Sequence, residues 1–202
     1  MLEAALWRDG VDLVAGVDEV GCGPLAGPLM AAAVMLPAGA PPPWLAEVRD
    51  SKVLSAKRRE DLDHEIRSHA LALGIGAVGP AQLDRVGLGA ARRLAMARAI
   101  STMSSRPQHL IIDALPLPDV RVPQTSLIHG DALCTSVACA SIVAKVARDR
   151  VMMALEQRYP RYGFAQHKGY PTAAHIAALE VLGPCPIHRR SFRPVRLALA
   201  RR

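Results

Sequence analysis

The chain has 202 residues, of which 50% are hydrophobic and only 3% aromatic, and it carries a formal net charge of +7. That length suits one compact domain spanning residues 1–202, with a core built from Ala, Leu, Val, Ile and Met. It contains no apolar run long enough to cross a membrane, no basic-then-apolar leader after Met1, and no C-x-x-C pair among Cys22, Cys134, Cys139 and Cys185, so a cytoplasmic monomer with incidental thiols is expected.

Residues 12–18 read as a strand, and the apolar stretch 25–36 as a second after a glycine-rich turn. Pro37 to Pro43 form a proline-rich loop. A helix is predicted over 55–74, with Ser55 as N-cap and Leu62, Ile66 and His69 at helical spacing. Leu71 to Val78 holds the start of a third strand. A long helix follows from about Ala81 to Met103, with Met96 in its core face. Leu110-Ile111-Ile112 is a short strand ending at Asp113, and Ser126-Leu127-Ile128 another, ending near Asp131. Residues 136–158 and 172–182 read as helices, the second stopped by Gly183-Pro184. Strands first, then strands alternating with helices, predict an α/β protein: a mixed sheet of five strands flanked by helices.

Charge is unevenly spread. Residues 145–202 hold 12 Lys/Arg and 3 Asp/Glu, a local charge of +9, against −2 for residues 1–144. This basic quarter, about 160–202 of which reads as a helical extension, is interspersed with Tyr159, Tyr162, Phe164, Tyr170 and Phe192. The pattern suggests a nucleic-acid surface, although a solubilising basic face would have the same composition. His129, His167 and His175 read as surface histidines, and His188 as a residue that orders the C-terminal segment. Asp149, between Arg148 and Arg150, reads as a structural ion-pair partner.

The chemistry-bearing feature is acidic. Asp18 and Glu19 end the apolar run Leu13-Val14-Ala15-Gly16-Val17, and Asp113 and Asp131 likewise follow short apolar strands. Buried and unpaired, such groups cost several kcal/mol each. Adjacent strands lie about 4.8 Å apart, so carboxylates at neighbouring strand ends can share one ion. Oxygen ligation favours a hard cation such as Mg2+ or Mn2+. An exposed acidic turn is the plain alternative. Successive strand residues point to opposite faces, so joint use of Asp18 and Glu19 predicts a backbone that leaves β geometry at Glu19, permitted by Gly21 and Gly23.

Gly16 to Pro28, reading Gly-Val-Asp-Glu-Val-Gly-Cys-Gly-Pro-Leu-Ala-Gly-Pro, closely resembles the opening motif of bacterial ribonuclease HII. Asp50-Ser51-Lys52 with Leu54-Ser55 and 57–60 resembles its second block. Gly130-Asp131 with 140–146 and 148–150 resembles its third. Tyr162-Gly163-Phe164, Lys168-Gly169-Tyr170, His175, His188-Arg189 and Ser191-Phe192 resemble its C-terminal block. The resemblance runs from about residue 12 to 195. It implies an RNase H-like fold, hydrolysis of the RNA strand of RNA–DNA hybrids, and incision at single ribonucleotides in duplex DNA, leaving 5′-phosphate and 3′-hydroxyl ends. It implies metal-binding catalytic roles for Asp18, Glu19, Asp113 and Asp131. Gly21, Cys22 and Gly23 match the turn whose backbone reads the ribose 2′-hydroxyl, Tyr170 matches the tyrosine stacked at the RNA–DNA junction, and Lys52, Ser141 and Lys145 match positions near phosphates.

Three positions depart from that pattern. Cys22 stands where the family usually has arginine, Ala114 follows Asp113 in place of glycine, and Gly87 replaces an asparagine. A non-catalytic hybrid-binding protein on the same fold is the competing reading, and a nuclease with a different junction preference is a third.

Overall fold

The computed structural model of the protein describes residues 2–48 and 54–201. Five strands form one sheet: β1 (Val14–Val20), β2 (Leu29–Met35), β3 (Ala72–Val78), β4 (His109–Asp113) and β5 (Gln124–Leu127). Their order is β3-β2-β1-β4-β5, with β1 antiparallel to β2, β2 antiparallel to β3, and β1-β4-β5 parallel. The sheet is mixed, as expected of the RNase H-like fold. The parallel half brings the C-terminal ends of β1 and β4 side by side, with Val17 level with Ile112. Asp18 and Asp113 are the next residue of each strand.

Two long helices cover the two faces. Odd-numbered residues of β1, Ala15 and Val17, pack with Ala91, Ala95, Met96 and Ala99 of α4 (Leu88–Ser101). On the other face Ala32 and Val34 pack with Cys139, Ile142, Val143 and Val146 of α6 (Thr135–Arg158), and with Leu62 and Ile66 of α2 (Ala56–His69). The few aromatic side chains leave both layers to small and branched residues, which lets helices approach closely. α2 begins as predicted: Ser55 Oγ accepts from Arg58 N at 3.2 Å.

The second predicted strand is shorter at its start than the apolar run, because residues 25–28 are drawn off to pair with the C-terminal region: Ala26 bridges His188 antiparallel, and Leu25 N donates to Gly169 O at 2.8 Å. The helix predicted from 81 to 103 is two helices, α3 (Pro80–Val86) and α4, broken at Gly87, whose φ of +78° and ψ of 161° fall where only glycine sits comfortably. Helices α1 (Leu2–Arg8) and the short α5 (Gly130–Leu133) escaped the sequence reading. Glu3 of α1 accepts from Ser136 N and Oγ at 3.0 and 2.9 Å, satisfying free donors in the first turn of α6. The C-terminal extension is α7 (Phe164–His167), α8 (Ala173–Leu182) and α9 (Arg193–Ala200). Among the described residues, no helix is long and apolar enough to cross a membrane.

Candidate active site

The site forms at the C-terminal ends of β1 and β4. The backbone does not leave β geometry at Glu19: β1 runs on to Val20, with Asp18, Glu19 and Val20 in register against Ala32, Ala31 and Met30 of β2. The expected irregularity is therefore absent, and the pleat places the two neighbouring carboxylates on opposite faces. Asp18 lies on the α6 face, where the Ser141 hydroxyl hydrogen-bonds its carboxyl. Glu19 lies on the α4 face, where Arg92 Nε donates to its Oε1 at 2.6 Å. Glu19 N donates to Asp18 Oδ1 at 2.7 Å, which ties the two faces together at the strand end.

Asp18 is 6% exposed. Burial, and then the charges of Glu19 and Asp113, push its carboxyl up to about 8. Burial also raises Glu19 above the ordinary carboxylate range, against the opposing pull of Arg92. Asp113 closes β4, and its Oδ1 accepts from Gly130 N at 2.8 Å. Asp131 is the next residue, half-buried in the first turn of α5. Asp18, Glu19 and Asp113 thus sense one another's charge; Asp131 follows Gly130, whose amide is bonded to Asp113, and no contact between its carboxylate and the other three is seen among the described residues. Among the described residues, no three Asp, Glu, His or Cys side chains already stand as a metal-holding group. The donor set nonetheless fits a hard cation. It is all carboxylate oxygen, burial and the charges of Glu19 and Asp113 raise the pKa of Asp18, and Glu19 Oε2 is buried with no hydrogen-bond partner.

The glycine turn is fixed by two arginines that the composition made look like surface charge. Arg148 and Arg189 are each 0% exposed. Arg148 donates to the carbonyls of Pro28, Lys168 and Ala26 at 3.0, 3.0 and 3.2 Å. Arg189 donates to Gly27 O at 3.1 Å and to Cys22 O at 3.2 Å. Gly21 has φ +94°, and a Cβ there would lie 2.5 Å from Arg148 Nε. Gly21→Ala is expected to lose about 2–4 kcal/mol from backbone strain and overpacking together, which urea denaturation would read. The Cys22 thiol stands 3.5 Å from Glu19 Oε1, and burial followed by the Glu19 charge pushes it up to about 12. It remains a protonated donor.

The C-terminal segments flank this turn. Tyr170 is 37% exposed, and a Cβ on Gly23 would lie 3.9 Å from its ring. The Arg148 guanidinium lies over the ring, 5.7 Å from its centroid. The remaining aromatic residues singled out in this quarter do not form an exposed surface: Phe164 is fully buried and stacks with Tyr162 at 5.2 Å, Phe192 packs against Arg189, and Tyr159 is half-buried. His175 is buried rather than on the surface, and His167 is half-buried against it with ring centroids 4.3 Å apart. His175 pairs with His188 through their Nε2 atoms at 3.1 Å. Of the three histidines read as surface residues, His129 is the one that is exposed, at the left-handed position before α5.

Lys145 is engaged: its Nζ donates to both Asp149 oxygens at 2.6 and 2.8 Å. Asp149 is therefore ion-paired as expected, but with Lys145 and, at 4.0 Å, Arg59, not with its sequence neighbours. Lys52 lies outside the described residues. Sequence reasoning missed Arg92 altogether, because nothing local marks an arginine on α4 as the partner of a residue 73 positions away.

The family model for ribonuclease HII matches residues 15–195. A curated ribonuclease HII of Dehalococcoides mccartyi is 48% identical, over 96% of this chain and 92% of its own. One from Moorella thermoacetica is 50% identical, over 95% and 91%. The crystal structure of the ribonuclease H2 from Pyrococcus horikoshii superposes with a TM-score of 0.77 at 26% identity, over 93% of this chain and 97% of that one. Fold, strand-end carboxylates and full-length similarity agree, and the chain belongs to the ribonuclease HII family of ribonucleases H.

Proposed function

We propose that this protein cleaves the RNA strand of RNA–DNA hybrids and incises at single ribonucleotides embedded in duplex DNA, using divalent cations held by Asp18, Glu19, Asp113 and Asp131. The observation that carries the reading is the set of carboxylates at the ends of β1 and β4, where buried Asp18 is pushed up to about 8 by burial, Glu19 and Asp113, and Glu19 Oε2 has no partner. Mg2+ or Mn2+ bound there would supply activation of water and stabilisation of the departing 3′-oxygen. Asp18 is oriented for this by Ser141 and the Glu19 amide, and Asp113 by the Gly130 amide. A thiol nucleophile is excluded at Cys22, which stays protonated at neutral pH.

The turn Gly21-Cys22-Gly23 offers backbone groups to the ribose 2′-hydroxyl, the group that separates RNA from DNA at one site. Its carbonyls at 22 and 26–28 are already anchored by Arg148 and Arg189, so the turn is rigid before substrate arrives. Tyr170 presents an exposed ring beside Gly23 on which a sugar or base can stack. Ser141 acts through Asp18. Lys145 is available to a phosphate only by leaving Asp149. Arg148 and Arg189 are too buried to meet phosphates, and that task falls to exposed arginines such as Arg161, Arg190 and Arg193.

The deciding experiment offers a duplex with one ribonucleotide, and a long hybrid, in Mg2+, Mn2+ or chelator. Cleavage with either metal, a 5′-phosphate product and none with chelator are expected. Binding without cleavage in every metal would make the protein a hybrid binder. Equal cutting of the all-deoxy duplex would defeat the ribonuclease reading. Binding should also weaken with salt as phosphate contacts release counterions.

A further inference from the structure

Because β1 stays regular, Glu19 points away from the face that carries Asp18. A cation among the aspartates can reach Glu19 only if its carboxylate is turned and held at the strand end. Two side chains do the holding. Arg92 places both Nε (2.6 Å) and Nη2 (2.5 Å) on Oε1, and the Cys22 thiol reaches the same oxygen at 3.5 Å. A guanidinium whose task was to neutralise a carboxylate would span both oxygens in a two-pronged pair. Here it crowds onto one oxygen, and the other, Oε2, is buried and bare. A bare buried carboxylate oxygen is costly unless something comes to it.

We propose that Arg92, assisted by the Cys22 thiol, is a positioning residue that pins Glu19 by Oε1 so that Oε2 is presented to the divalent cation. The inference rests on the metal-dependent reading above. It assigns α4 a task in the site: Arg92 is itself 24% exposed and contacts neither Asp18 nor Asp113 among the hydrogen bonds and ion pairs of the described residues. Groups that orient a metal's ligands typically change metal affinity by about 10–100-fold when removed. A mere counter-ion has the opposite signature, since deleting a positive charge beside the site strengthens cation binding.

The test is calorimetric titration of Mn2+ into substrate-free wild type, Arg92→Ala and Arg92→Lys, with circular dichroism to confirm folding. The alanine variant should bind Mn2+ about 10–100-fold more weakly, and the lysine variant should fall between it and wild type. Equal or tighter binding by Arg92→Ala overturns the proposal. If that variant does not fold, Arg92→Lys decides by the same comparison, because it keeps the charge and loses the two-nitrogen grip. Wild type that takes up no Mn2+ would instead defeat the metal-dependent reading itself, and the positioning role with it.

Discussion

Asp18→Asn is expected to lower cleavage by about 10³-fold or more while making the metal-free protein more stable at pH 8. The loss follows from the proposed role: cation stabilisation of a transition state is worth several kcal/mol, and each 1.36 kcal/mol is tenfold in rate. The gain follows from burial. In the unfolded chain Asp18 ionises near the ordinary value of 3.8, whereas in the folded protein its proton is held to about 8. Between those pH values the folded state binds more protons, so this group's contribution to stability is lost as pH rises through the window. Asparagine keeps the shape and can still accept from the Glu19 amide, but it has no charge to bury. The expected gain at pH 8 is several kcal/mol, or on the order of 10 °C in Tm. Thermal melts of both proteins in chelator at pH 5 and pH 8 would read it. A variant no more stable than wild type at pH 8 would show that Asp18 is not charged and desolvated there. Added Mn2+ should narrow the gap by stabilising wild type alone.

Acid acts through a second group with the opposite sign. The buried imidazoles have one consistent set of hydrogen-bond directions. His175 Nδ1 donates to Tyr170 O at 2.9 Å, so its Nε2 must accept from His188 Nε2–H, and His188 Nδ1 in turn accepts from Cys185 N at 3.0 Å. Every ring in this relay is neutral, and a proton added to either one sets donor against donor. Burial, then His175, holds His188 down at about 4, and burial lowers His175 as well. The unfolded chain binds these protons from about 6.5 downwards, so stability falls as pH drops from about 6.5 to about 4. His188 alone accounts for about 3 kcal/mol of that fall. Wild type partly conceals the effect, because Asp18 is relieved over the same range. Urea denaturation at pH 7 and pH 4.5 is therefore best done in the Asp18→Asn background, where the loss should be fully visible and should shrink when His188→Gln is added. A loss that His188→Gln leaves unchanged would place the acid sensitivity elsewhere. Because the relay ends on the Tyr170 carbonyl, binding of a ribonucleotide-containing duplex should weaken together with stability.

The parts of the fold that depend on local pattern were legible. Apolar runs ending in Asp18 and Asp113 marked two strands, although β1 runs two residues beyond Asp18, and the parallel pairing of β1 with β4 brings the two aspartates to one end of the sheet. Ser55 announced a helix start and its side chain accepts the expected cap bond, while Thr172, read as the first residue of its helix, is the N-cap of α8. The break at Gly87 was hidden because apolar spacing continues on either side of it, and only the backbone angle distinguishes one helix from two. The regularity of β1 at Glu19 was misjudged because two carboxylates in one site seemed to require a bend. In the sheet the two carboxylates point to opposite faces, and Glu19 is held there by Arg92 of α4. Long-range burial was invisible for a simple reason. An arginine that donates to carbonyls deep in the protein has the same composition as one in solvent, and a histidine whose partner lies 13 residues on looks like any other.

The anchoring of the glycine turn also dictates when this enzyme becomes whole. Gly27 is gripped by Arg189, 162 residues later, and Pro28 by Arg148, 120 residues later. Contacts so distant along the chain form late, after loop closure has been met by the sheet and its helices. On the ribosome the turn proposed to read the ribose emerges early, yet it cannot be anchored until Arg189 has been synthesised. A chain cut before Arg189 would carry all four proposed acidic ligands and still lack the anchor of the proposed recognition turn.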